Sequence, residues 1–219
     1  MAKIVITGAN RGIGLALTKK YLSEGHQVLA LCRQSSSELS QTKAEIMENV
    51  DVTNLSSLEE CAKKVGEMDI LINNAGVLFN ETLEDLNFET IQKQVEVNTY
   101  APLKVITTLG KGLKKGGVFG ILTSRMGSIE DNDSGSYYGY RLSKAAGNAV
   151  GKSLAMDLKE EGICVLLLHP GYVKTEMTGH QGLIDTQESA SGLYQVIEEH
   201  GKLEQTGTFW HSNGEKLPW

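Results

Sequence analysis

Residues 4–15, Ile-Val-Ile-Thr-Gly-Ala-Asn-Arg-Gly-Ile-Gly-Leu, restrict the fold more than any other stretch of the chain. Ile4-Val5-Ile6 is an apolar run suited to a buried strand, and Gly12-Ile13-Gly14-Leu15-Ala16-Leu17 opens a helix-permissive apolar segment. A strand that turns so abruptly into a helix leaves backbone N–H groups uncovered at the helix N-terminus, where the helix dipole favours an anion. Gly8, Gly12 and Gly14 follow the spacing G-x-x-x-G-x-G instead of the commoner G-x-G-x-x-G. Three glycines after a strand also make a plain tight turn. Thr7, Asn10 and Arg11 in the same loop favour a seat for a pyrophosphate, with the backbone of Gly8, Gly12, Ile13 and Gly14 approaching it.

Beyond that loop, apolar runs alternate with longer stretches of helical period. Strands are expected at 4–7, 28–32, 46–50, 70–73, 118–123, 164–169 and 208–210, and helices at 15–24, 58–65, 88–113, 140–160 and 188–200. Glu48 and Asn49 interrupt the third strand. Such alternation implies an α/β fold, a parallel sheet with helices on both faces. The 219 residues suffice for one domain of this kind and fall short of two, with no repeat or linker, so 1–219 is expected to be a single unit. A net charge of −6 argues against nucleic acid as a partner. Met1-Ala2-Lys3 leads straight into the first strand without a signal segment, and no apolar run approaches a membrane span. Cys32, Cys61 and Cys164 are far apart and odd in number, which suits reduced thiols in a cytoplasmic protein. The five histidines show no ligand spacing, so no metal is expected.

The second strand is followed by Arg33, about 20 residues past the helix start, where an acid would hold the adenosine ribose of NAD. With Arg11 it favours NADP(H) over NAD(H), because a guanidinium grips a 2′-phosphate through a bidentate fork. The bland alternative is a solvated charge at a strand end. Asp51-Val52 either flank an adenine edge or serve the start of the next helix, where Asn54 is the better placed cap. Ala75 and Gly76, directly after a buried strand, permit close backbone approach to a ligand, and Asn73 and Asn74 can bridge strand ends. Asn98 is a mediocre helix former with Pro102 four residues on, which predicts a kink that frees a backbone carbonyl to hold a water. The alternative is Asn98 facing solvent.

Ser124 leaves the carboxyl end of the fifth strand, where ligands bind such sheets. Tyr140 and Lys144 follow at i and i+4, on one helix face, so that the ammonium is expected to lower the pKa of the phenol. Pro170 and Gly171 form a rigid turn after the sixth strand, with Val173 and the Thr175 hydroxyl able to border a cofactor. Residues 175–188 are the natural lid and substrate wall. Phe79, Met126, Tyr138, Tyr172 and Met177 are candidates for its apolar lining, each also explicable as packing. Asn213-Gly214 signals a turn, and Trp219 is expected to pack on the body or on another subunit.

Thr7-Gly8-x-x-x-Gly12-x-Gly14, Asn73-Asn74-Ala75-Gly76, Asn98, Ser124, Tyr140-x-x-x-Lys144 and Pro170-Gly171 occur here in one order. In them the chain resembles the short-chain dehydrogenase/reductase family of classical type, over essentially its whole length. The stretches Ser124-Arg125-Met126-Gly127-Ser128-Ile129 and Leu217-Pro218-Trp219 are most similar to C-factor and sniffer-like carbonyl reductases. The resemblance implies a doubly wound Rossmann domain with a seven-stranded, mostly parallel sheet in the order 3-2-1-4-5-6-7. It implies an NADPH-dependent reduction of small apolar ketones or aldehydes to alcohols. Tyr140 would be the general acid, Lys144 would hold the nicotinamide ribose, Ser124 would orient the carbonyl, and Asn98 would place a water linking Lys144 to solvent. Leu122-Thr123 before the serine and the acidic insert Glu130-Asp131-Asn132-Asp133-Ser134 depart from the family pattern. The resemblance also implies a homodimer or higher homo-oligomer. A C-factor-like signalling protein that binds nucleotide without depending on turnover is the alternative reading.

Overall fold

The computed structural model describes every residue from Met1 to Trp219. Side chains alternate across a strand, and here both sets are apolar, so each strand feeds two cores. Ile4 and Ile6 of β1 (Lys3–Thr7), Ile70 and Ile72 of β4 (Met68–Asn73) and Leu166 and Leu168 of β6 (Cys164–His169) enter one. Val5, Leu71 and Val165, their neighbours in sequence, enter the other. The same holds for β2 (Gln27–Leu31) and β5 (Leu113–Leu122). With β3 (Glu45–Met47) and β7 (Thr208–His211) these strands form one sheet in the order β3-β2-β1-β4-β5-β6-β7. Every neighbouring pair is parallel, so the expected order holds and the sheet is parallel throughout.

Helices cover both faces. On one lie α1 (Gly12–Ser23) and the last helix, on the other the helices of the middle of the chain. A short α2 (Ser37–Ser40), capped by Ser36, falls between β2 and β3 and was not expected. α3 (Leu55–Val65) starts at Asn54, whose side chain accepts the Ser57 N–H. Chain order reverses between β1 and β4, which opens a crevice at their carboxyl ends.

The strand expected over 118–123 runs Leu113–Leu122 and the helix expected over 140–160 ends at Asp157, and two further elements are corrected more deeply. The third strand stops at Met47, because Asn49 takes a left-handed backbone (φ 62) and turns the chain out of the ladder. The single helix over 88–113 is instead α4 (Phe88–Val95), a π-turn (Glu96–Tyr100), α5 (Ala101–Leu109) and a 3-10 turn (Gly110–Gly112), after which β5 begins. The expected kink is this wide turn, in which the Ala101 N–H reaches back five residues to the Glu96 carbonyl. Pro102, with no N–H, offers the Asn98 carbonyl no helical partner. α6 (Tyr138–Asp157) and α7 (Thr186–His200) complete the set, α7 capped by Asp185, which accepts from Gln187 and Glu188. After β7, Asn213 closes its turn on the Glu215 N–H, and Trp219 stacks on Phe209 of the same chain at 5.7 Å. No helix is long and apolar enough to cross a membrane.

Candidate active site

The glycine loop and the end of β4 are locked together by the Asn74 side chain. Its Nδ2 donates to the carbonyls of Thr7 (2.9 Å) and Gly8 (3.0 Å), while Thr7 Oγ1 accepts the N–H groups of Asn74 and Ala75. Gly8 (φ 64) adopts a left-handed backbone, and a Cβ on Gly14 would stand 2.3 Å from the Gly8 carbonyl oxygen. Only glycine lets the first turn of α1 rest so closely on the loop. Arg11 at the N-cap makes no side-chain capping bond, and the first turn contains no acid. The resulting positive helix end, with the cradle that any Cβ would fill, fits a dinucleotide pyrophosphate. Asn73 Oδ1 is buried at the same strand end and has no hydrogen-bond partner within the protein. Of the two asparagines, Asn74 bridges the strand ends and Asn73 does not.

On the adenosine side the side chains divide. Asn10 Nδ2 donates to the Gln34 carbonyl and its own carbonyl accepts from Ser36, so Asn10 fastens the glycine loop to the segment after β2. Arg33 is exposed at the end of β2. Asp51 does not cap α3; its Oδ1 accepts the N–H and hydroxyl of Thr53. Burial acts to raise the Asp51 carboxyl, but the Thr53 bonds and the charge of Arg33 outweigh it and hold the group below the ordinary range. Arg33 thus lies close enough to Asp51 for its charge to act on the carboxyl, and Val52, next in the chain, is buried. Arg11 reaches across the crevice instead, to Glu176 at 2.5 Å.

The catalytic candidates converge at the ends of β4 and β5. Asn98 lies in the π-turn and is 4 % exposed, which rules out the solvent-facing alternative. Its Oδ1 accepts the Val77 N–H (3.0 Å), and its Nδ2 donates to the Val77 carbonyl (2.8 Å) and to Ser143 Oγ (3.0 Å). Its carbonyl faces Gly147, where a Cβ would stand 3.1 Å away. Ser124 accepts the Met126 N–H at 3.1 Å and is turned towards the Tyr140 phenol. Lys144 Nζ donates to the Leu122 carbonyl at 3.0 Å and lies 5.6 Å from the centre of the Tyr140 ring.

The expected lowering of the phenol pKa by its neighbour is not what the site shows. Burial pushes Tyr140 up to about 12, with the Ser124 hydroxyl acting downward, and burial brings Lys144 down to about 8. Both groups are enclosed, so the cost of separating charge from water exceeds the benefit of proximity. The phenol thus keeps its proton through the neutral range, as a donor must, and the amine keeps most of its charge at pH 7.

The turn after β6 closes the other side. The Pro170 carbonyl accepts the hydroxyls of Ser189 (2.7 Å) and Ser212 (3.1 Å), Gly171 is left-handed (φ 90) and Val173 is buried. Thr175 lies beside Gly12 and precedes the short turn Glu176–Thr178, its N–H donating to Thr178 Oγ1 at 3.1 Å, and Val173 bridges to Ile184 across the loop. Phe79, Tyr138, Tyr172 and Met177 remain partly exposed. The acidic insert binds the rim, with Asp131 on Arg125 at 2.6 Å and the Glu130 N–H on the Trp219 carbonyl. Sequence reading missed Glu81, a buried acid beside α6, because a single glutamate in a polar loop has no periodicity to betray its burial.

Residues 2–183 match the short chain dehydrogenase family. The 1-hydroxy-2-glutathionyl-2-methyl-3-butene dehydrogenase of Rhodococcus sp. (strain AD45) is 36 % identical over 227 aligned residues that span 100 % of both chains. The C-signal of Myxococcus xanthus is 37 % identical, over 70 % of this chain and 94 % of its own. Among solved structures, NADPH bound carbonyl reductase from chicken fatty liver superposes with a TM-score of 0.92 at 27 % identity, covering 100 % of this chain and 99 % of its own. Carbonyl reductase Sniffer of D. melanogaster gives 0.92 at 28 %, covering 100 % of both.

Proposed function

The chain belongs to the short chain dehydrogenase family, and on that premise we propose that it is an NADP(H)-dependent oxidoreductase that reduces small apolar ketones or aldehydes. The observation that supports this most is the enclosed Tyr140 phenol, turned towards Ser124 and one helical turn from Lys144, at the carboxyl ends of β4 and β5. Gly8, Gly12, Ile13 and Gly14 would seat the pyrophosphate, and Arg33, with Asp51 and Val52 beside it, the phosphorylated adenosine. Asn73, Ala75, Gly76, Pro170, Gly171, Val173 and Thr175 would border the remainder. The NADPH of the chicken carbonyl reductase structure supports this choice of nucleotide. When bound, reduced nicotinamide supplies two electrons as hydride to the carbonyl carbon.

This chain's residues do the rest. Ser124 and Tyr140 present two hydroxyl donors to the carbonyl oxygen and orient it. As negative charge develops on that oxygen, Tyr140 gives up its proton to form the alcohol. Lys144, still cationic at pH 7, offsets the charge left on the phenolate and would hold the nicotinamide ribose. Asn98 fixes Val77 and Ser143, and its carbonyl would place the water through which Lys144 exchanges protons with solvent. Residues 175–188 would wall the substrate, and the exposed Phe79, Tyr138, Tyr172 and Met177 suit apolar groups.

The test is NADPH oxidation with a panel of ketones and aldehydes. Tyr140→Phe should lower kcat by about 10²- to 10⁴-fold, the usual contribution of a positioned acid, and leave NADPH binding intact. Full turnover by that variant would refute the role. Similarity to the C-signal favours a second reading, nucleotide-dependent signalling without turnover. Tight NADPH binding with no reduction of any panel carbonyl would select it.

A further inference from the structure

α6 brings Tyr140 to the crevice, yet its own sequence supplies no cap. Tyr137, at the N-cap, makes no side-chain capping bond and takes a left-handed backbone (φ 55), as does Ser136 before it (φ 52). Two such residues in succession persist only where their surroundings fix them. The fixing group is Glu81. Its carbonyl accepts the Tyr137 N–H at 2.8 Å, and its carboxylate Oε2 accepts the Gly139 N–H at 3.1 Å, one residue before the phenol. Its Oε1 accepts from Gln94 Nε2 at 2.7 Å and shares the Thr90 hydroxyl (2.9 Å) with the Asn87 carbonyl. With donors on both oxygens, the acid is only 1 % exposed. The Gln94 amide is not free to turn over, since its Oε1 already accepts the Phe79 N–H at 2.9 Å. A Cβ on Gly139 would stand 2.4 Å from Gln94 Nε2 and 2.9 Å from Ile91 Cα, so α6 is seated directly on α4. A carboxylate at this end of α6 also faces the positive end of its dipole.

We propose that Glu81 is a positioning residue for the reaction, a helix cap supplied from outside the helix. It sets the first turn of α6 and with it the approach of Tyr140 to Ser124. The inference rests on Tyr140 being the proton donor. Glutamine at position 81 keeps the shape, but its NH₂ must face a donor, either the Gly139 N–H or Gln94 Nε2. Displacing a reacting group by ~1 Å costs up to about 10²-fold in rate.

Glu81→Gln is therefore expected to lower kcat about 10- to 100-fold while the NADPH Kd and the substrate KM stay within about twofold of the parent. Rates are expressed per nucleotide-binding site, so a smaller folded fraction does not count as an effect. Gly139→Ala keeps the Glu81 side chain but forces its donor Gln94 Nε2 off its seat and pushes α4 and α6 apart; the same loss is expected, and parental kcat per site in this variant overturns the seating of α6 as the determinant where Glu81→Gln does not fold. Tyr140→Phe is measured alongside. Parental turnover by Tyr140→Phe overturns the proton-donor reading and this one with it. An inactive Tyr140→Phe beside a Glu81→Gln of parental kcat per site overturns the role of Glu81 alone. So does a raised KM with kcat unchanged.

Discussion

Replacing Lys144 with methionine should remove activity and raise stability, and the gain should depend on pH in a defined way. Burial brings the Lys144 amine from 10.5 down to about 8. Each unit of that shift corresponds to ~1.4 kcal/mol, so holding the charged amine in the folded chain costs about 3 kcal/mol at pH 7. Below pH 8 both folded and unfolded chains are protonated and the cost is constant. Between pH 8 and 10.5 the unfolded chain binds more protons than the folded one, so stability conferred on the parent rises with pH. Methionine has no such dependence. It also deprives the Leu122 carbonyl of its donor, an offset of about 1–3 kcal/mol that does not vary with pH. The stability difference between Lys144→Met and the parent should therefore be flat from pH 7 to 8 and shrink by about 2 kcal/mol by pH 9.5. Groups that titrate in both chains cancel in that difference. Urea unfolding followed by the fluorescence of Trp210 and Trp219, without added nucleotide, measures it. A difference that stays constant to pH 9.5 would show that Lys144 bears no burial penalty, and the electrostatic account of the site would fall.

Arg33→Ala should lower the preference for NADPH over NADH by roughly 10- to 100-fold, since a charged hydrogen bond contributes about 1.5–3 kcal/mol. The kcat/KM ratio for the two nucleotides reads this out, and an unchanged ratio would remove Arg33 from the site. His169 is brought from 6.5 down to about 3, first by burial and then by His211, Arg125 and Lys144. Its ring stays neutral in the folded chain while the unfolded chain takes up a proton below pH 6.5, so the parent should lose stability as pH falls from 6.5 to 4, by ~3 kcal/mol at most. His169→Leu should flatten that limb of the stability profile in urea titrations; a parallel limb would contradict the assignment.

The sheet was legible because a parallel strand buried on both faces has no polar alternation to confuse it; Ile70-Leu71-Ile72 and Val165-Leu166-Leu167-Leu168 could be little else. The glycine loop was legible for a different reason. Gly8 and Gly14 answer backbone demands that no other residue meets. What escaped was decided by distant contacts or by one surplus residue. Residues 88–113 have helical period on both sides of the π-turn, and periodicity averages over the irregularity between. Tyr140 and Lys144 were placed together by spacing alone, but their proton affinities are set by enclosure, which spacing does not record. Asp185 with Glu188 three residues later was a capping signal, and reading it would have moved the start of α7 to Thr186. Glu81 offered nothing comparable, since its partners Gln94 and Gly139 are far along the chain.

The wide turn at Glu96–Tyr100 also makes this part of the chain intolerant of one apparently harmless edit. Excising a single residue there would remove the surplus position of the π-turn and return the segment to α-helical spacing, interrupted only at Pro102, which has no N–H. Every position after the cut would then swing by about 100° around the axis. Ala101, Val105 and Leu109 would be rotated away from the sheet they now cover. The irregularity is thus a fixed phase offset between the part of the helix that presents Asn98 and the part that anchors the rest, and length variation should be found outside it.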